Sequence, residues 1–84
     1  MFQEKIKSLG WELAKEGLEK TFSFSDFQSA LSFINKVGEF SEAEAHHPKI
    51  TNLYNQVTLC LWTHDAEAVT EKDVSWILKF EKEY

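Results

Sequence analysis

Apolar and polar positions change period several times along the chain, and each change marks an element. Phe2 to Leu9 reads as a short helix, ended by Gly10. Trp11–Glu16 and Leu18–Ser23 read as two strands, with a tight turn expected at Glu16 and Gly17. In "LEKTFSFS", Leu18, Lys20, Phe22 and Phe24 fall on one face and Glu19, Thr21 and Ser23 on the other. The period then lengthens. Phe27, Ala30, Leu31, Ile34 and Val37 recur at helical steps, and Phe33 and Phe40 widen the stripe. Ser25 and Gln28 have the spacing of a capping box at its start. The helix is expected to run through "EFSEAEA" and stop near His46, because Pro48 disfavours helical geometry at His47. "ITNLY" and "QVTLCLWTH" return to strand period and suggest a hairpin turning at Asn55. In the second, Val57, Leu59 and Leu61 point one way. Thr58, Cys60, Trp62 and His64 point the other. Thr70 and Asp73 open a last helix, with Val74, Ile77 and Leu78 as one stripe and Trp76, Phe80 and Tyr84 beside it.

The order α-β-β-α-β-β-α, with strands in hairpin pairs, implies an α+β fold. It is a mainly antiparallel four-stranded sheet with three helices on one face, and residues 1–84 form a single domain. A chain this short buries only roughly 60–65% of the surface it exposes when unfolded, so it carries one core. Three tryptophans and seven phenylalanines supply much of that core.

Composition narrows the function. A net charge of −5 argues against direct nucleic-acid binding, which needs a cationic footprint. The lone Cys60 excludes an internal disulfide and points to a reducing compartment, hence the cytoplasm. The N-terminal "MFQEKIKSLG" has no apolar signal-peptide core, and no run reaches the ~20 apolar residues of a membrane span. What remains is a small molecule or a protein surface as partner.

The candidate chemistry lies in "AEAHHPKITNLYNQVTLCLWTH", which holds all three histidines, His46, His47 and His64. In a last helical turn, His46 would meet exposed carbonyls and the Glu42 carboxylate four residues earlier. Pro48 pushes His47 toward extended geometry, so the two imidazoles diverge. His64 closes a strand where a loop begins. Histidines so placed suit acid–base work near neutral pH. Bland roles compete: a helix-end cap for His46, a capping box for Asp73, a solvated face for Glu42. Zinc is disfavoured, because adjacent histidines do not readily face one ion and no i, i+4 histidine pair exists, so no metal is expected.

The segment "EAEAHHPKITNLYNQVTLCLWTHDAEAVTEKD" resembles the signature of the pterin-4a-carbinolamine dehydratases. The matching elements are Glu42, His46-His47-Pro48, Tyr54-Asn55, Val57, Leu61, Thr63-His64 and Asp73. "FSFSDFQSALSFINKV" is similar to the family's upstream helix, F-x-F-x-D-F-x-x-A-x-x-F-x-x-x-V. The resemblance implies dehydration of a 4a-hydroxytetrahydropterin to the quinonoid dihydropterin, in pterin recycling, with no cofactor. It implies that His46, His47, His64 and Asp73 are catalytic; Glu42 and the helix end favour His46 as the general acid, with His64 as its proton-accepting partner and Asp73 orienting a histidine. It further implies that Glu42, Pro48, Thr63 and Asp65 contact substrate, and that the chain forms a homodimer or homotetramer. Animal relatives also bind a homeodomain transcription factor, so a protein-interaction module is the competing reading, with Phe33 and Phe40 as candidate interface residues. The chain departs from the family in two places: the family usually has glycine at Ala68 and often at Glu67, and it often carries an aromatic shortly after HHP, where this chain has Ile50 and Thr51. If the loop at Glu67 and Ala68 needs positive φ, a side chain there costs about 1 kcal/mol.

Overall fold

A computed structural model describes residues 2–84, with side chains from Glu4 onward. Helix α1 spans Phe2–Ser8, and the chain leaves it through Gly10 at φ 94°. Strand β1 (Glu12–Ala14) pairs with β2 (Gly17–Ser23) through a two-residue turn at Lys15 and Glu16. The turn therefore lies one residue earlier than the sequence suggested. Gly17 opens β2 instead, and a Cβ there would sit 2.2 Å from the Leu61 carbonyl oxygen. Its φ of 144° is a second reason for glycine. Close approach of two strands fixes this residue.

Helix α2 spans Phe27–Glu44 and is capped by Asp26, not by the expected Ser25 and Gln28 box. The Asp26 carboxylate accepts from the Ser29 amide at 2.8 Å, and that hydrogen bond holds its pKa below the usual carboxylate value. Two good caps stand side by side in the sequence, and the charged one at the positive helix end is used. At the other end Ala45 is left-handed (φ 55°). The amides of Ala45 and His46 return to the carbonyls of Glu42 and Ser41. The helix thus stops near His46, as expected, but His46 lies at the helix end just beyond the Ala45 cap rather than in the last turn.

Strands β3 (Lys49–Leu53) and β4 (Gln56–Leu61) form the second hairpin, turning at Tyr54 and Asn55. Asn55 donates to the Phe24 carbonyl at 2.8 Å and ties this turn to the end of β2. The sheet order is β1-β2-β4-β3, antiparallel throughout. β4 is central, and Val57, Leu59 and Leu61 are fully buried, as the alternation predicts. The strand stops at Leu61, short of the expected His64, which begins a short 3-10 turn at His64–Ala66.

Helix α3 (Glu71–Glu83) closes the core. Its buried residues are Asp73, Trp76, Ile77 and Phe80; Val74 and Leu78 pack partly buried against the same core, and Tyr84 at the end of the aromatic stripe is exposed. Trp76 packs on Phe80 at 4.8 Å and on Phe40 at 5.0 Å. Phe40 is buried in the core, whereas Phe33 packs against the same cluster while remaining partly exposed. Among the described residues no helix is long and apolar enough to cross a membrane.

Candidate active site

Thr70 caps α3: its hydroxyl accepts from the Lys72 amide at 3.2 Å. Three residues on, the Asp73 carboxylate reaches back and accepts the Thr70 amide at 2.9 Å. The capping box is therefore present, and Asp73 does more than complete it. It is wholly buried. Its Oδ2 also accepts from the Thr63 hydroxyl at 2.7 Å, and its Oδ1 lies 2.6 Å from His46 Nε2. With Thr63 donating to Asp73, the Thr70 hydroxyl donates to Thr63 at 2.7 Å. A buried carboxylate that collects several donors offsets its own desolvation.

The placement matters because two of these partners have another histidine as the next residue. His46 directly precedes His47, and Thr63 directly precedes His64. One buried carboxylate thus anchors the backbone just before both remaining histidines. Each then projects away from the core. His47 makes a close contact with Glu42, both side chains being exposed. The carboxylate at Glu42 therefore belongs to His47, not to His46 as a continuous helix would have it. The left-handed turn at Ala45 changes the register.

His47 and His64 line one cavity of about 390 Å³. The rest of its wall is Lys15 and Glu16 from the β1–β2 turn, Lys49 from β3, and Cys60 and Trp62 from β4 and its extension. Lys49 donates to Glu16 at 2.9 Å, which lowers the Glu16 pKa and raises that of Lys49. Burial, and then the Glu19 charge, push the Cys60 thiol up. His46, Asp73, Thr63, Glu42, Pro48 and Asp65 are not part of this wall. Lys15, Glu16, Lys49, Cys60 and Trp62 escaped sequence reasoning. The one available signal was the β4 face that groups Cys60 and Trp62 with His64. A larger groove of about 500 Å³ lies elsewhere, between β2, α2 and α3, and no histidine lines it.

The loop that carries His64 is closed by a bridge between Thr63 and Ala68. Positive φ falls on Glu67 (51°), not on Ala68. The missing glycine therefore matters at Glu67, and the loop still closes. Among the described residues no group of three or more His, Cys, Asp or Glu side chains is arranged to hold a metal ion.

The model of the family "Pterin 4 alpha carbinolamine dehydratase" matches residues 1–83. The chain belongs to this family. A Thermomicrobium roseum protein is 44% identical over 66 residues, covering 79% of this chain and 71% of its own. One from Sulfurisphaera tokodaii is 40% identical over 80 residues, 95% of this chain and 86% of its own. Both bear the name "Putative pterin-4-alpha-carbinolamine dehydratase". The crystal structure of a Brucella melitensis protein described as "transcriptional coactivator/pterin dehydratase" superposes with a TM-score of 0.82 at 32% identity. That match covers 95% of this chain and 88% of the other.

Proposed function

We propose that the protein dehydrates a 4a-hydroxytetrahydropterin to the quinonoid dihydropterin, and that His47 and His64 carry the proton transfers. The carrying observation is the cavity: both imidazoles line it, beside a flat indole, in a chain of the dehydratase family. The reaction balances with two proton transfers. The C4a–O bond breaks as the N5 lone pair forms the N5=C4a bond. An acid protonates the leaving hydroxyl, which departs as water, and a base takes the N5 proton.

His47, with Glu42 against it, is assigned the acid role, and His64 the base. This moves the acid from His46, because Glu42 stands against His47 instead and the His46 imidazole is held by the buried Asp73. His46 and Asp73 become positioning residues that hold the chain before the reacting pair. Glu42 orients His47. Pro48 sets the divergence of His46 and His47 and, like Asp65, is not given a direct substrate contact. Thr63 is given none either, because its hydroxyl is consumed by Asp73 and Thr70.

The test is turnover of a synthetic 4a-hydroxytetrahydropterin by wild type, His47→Ala and His64→Ala. Catalysis that survives both substitutions would remove the assignment. An inactive wild type that binds a protein partner would favour the interaction reading suggested by the Brucella relative's description. Self-assembly is supported by edge strand β3, exposed along its length with Leu53 and Tyr54 outward, and sedimentation tests it.

A further inference from the structure

The chain's three tryptophans occupy different settings. Trp11 and Trp76 are each 1% exposed and meet edge-to-face at 6.4 Å inside the core. Trp62 is only half-buried and stands in the cavity wall with His47 and His64. Among the described residues no other aromatic ring pairs with it, although Trp11, Phe22, Phe33, Phe40, Trp76 and Phe80 form a continuous aromatic cluster. It comes directly after Leu61, which is fully buried on the opposite face of the strand, so the local register turns the indole outward.

A large apolar side chain left partly wet at a cavity gains most from a flat ligand that covers it. We infer that Trp62 is the stacking platform for the substrate's nearly planar pyrimidinone ring, and so the residue that selects a ligand with a flat heterocyclic half. The inference rests on the proposed dehydratase reading. It adds a distinct role, because Trp62 moves no proton. In the 4a-hydroxy substrate C4a is tetrahedral while the pyrimidinone half stays nearly flat. Stacking that half on Trp62 leaves the ring fusion, where the hydroxyl departs, free to face the two imidazoles. Because the flat half persists in the product, the contact is made equally in ground and transition states. Its loss therefore raises KM and leaves kcat nearly unchanged.

The experiment uses oxidised pterin as a non-reacting probe, with its Kd measured by equilibrium dialysis and by quenching of tryptophan fluorescence. Trp62→Leu should weaken binding about tenfold, the range of one base-on-aromatic stack, and raise KM by a similar factor with kcat within about twofold. Trp62→Phe keeps a ring and should retain Kd within about threefold while losing most of the quench, since Trp11 and Trp76 are enclosed. Melting curves establish that both variants fold, and the quench in wild type reads the contact without any substitution. Turnover by wild type with an unchanged Kd in Trp62→Leu overturns the platform alone. A wild type that neither turns over the substrate nor binds pterin overturns the platform and the dehydratase reading together.

Discussion

His46 and His47 are neighbours, each set against a carboxylate, yet the two pairs have opposite surroundings. The side chains of His46 and Asp73 are 15% and 0% exposed; those of His47 and Glu42 are 59% and 78%. Asp73 is held by a backbone amide, a hydroxyl and an imidazole. Glu42 faces solvent, where screening weakens a pair and side chains stay mobile. The buried pair is suited to fix geometry, because separating it strands polar groups. The exposed pair is suited to exchange protons, because the charge it gains or loses is solvated. Residue type is the same in both; under the proposed reading, environment divides the work.

The largest effect expected is that of Asp73→Ala. It leaves the Thr70 amide, the Thr63 hydroxyl and His46 without their acceptor. Stability should fall by about 3 kcal/mol, read as a drop in Tm of roughly 10 °C or more. A melting point near wild type would erase the contrast between the pairs. Next comes His47→Ala, with kcat down about 100-fold and Tm almost unchanged, measured in the dehydratase assay and by thermal melting. Thr63→Val keeps the shape but takes a donor from Asp73. It should cost about 1–2 kcal/mol in urea unfolding and lower kcat through the misplaced His64 turn. Glu42→Gln should leave stability within about 0.5 kcal/mol and lower kcat less than His47→Ala does. A large stability loss there would show that the exposed pair is structural after all.

The smallest effect expected is at the cavity wall. Burial raises the Cys60 pKa, so the thiol keeps its proton more tightly folded than unfolded. That contribution is complete below the unfolded thiol value, about 8.5, and fades as pH rises through the folded value. Iodoacetamide should therefore label the native protein slowly at pH 8, and unfolding in urea should speed labelling. Equal rates in both states would mean that the thiol is not shielded.

Much of the fold is legible in the sequence because it is written locally. The aromatic stripes of α2 and α3 and the alternation of Val57, Leu59 and Leu61 name the core faces. Thr70 and Asp73 announce a helix start. Boundaries fail where two signals compete, as at Ser25 and Asp26, or where one residue turns left-handed without being glycine. Ala45 is the costly case: it moves His46 out of the helix and passes Glu42 to His47. The second task of Asp73 is invisible locally, since its partners stand 27 and 10 residues away. The cavity is harder still. Lys15 and Glu16 meet Lys49 and Cys60 only through the pairing of four strands. The histidines could be named from their spacing; which two share a cavity is a tertiary fact.

The most direct test sets His46→Ala beside His47→Ala, with Tm and kcat measured on each. If the buried pair positions and the exposed pair reacts, His46→Ala lowers Tm and reduces kcat the less of the two, while His47→Ala keeps Tm and loses about 100-fold in kcat. That division of labour fails if His46→Ala keeps the wild-type melting point and loses more turnover than His47→Ala.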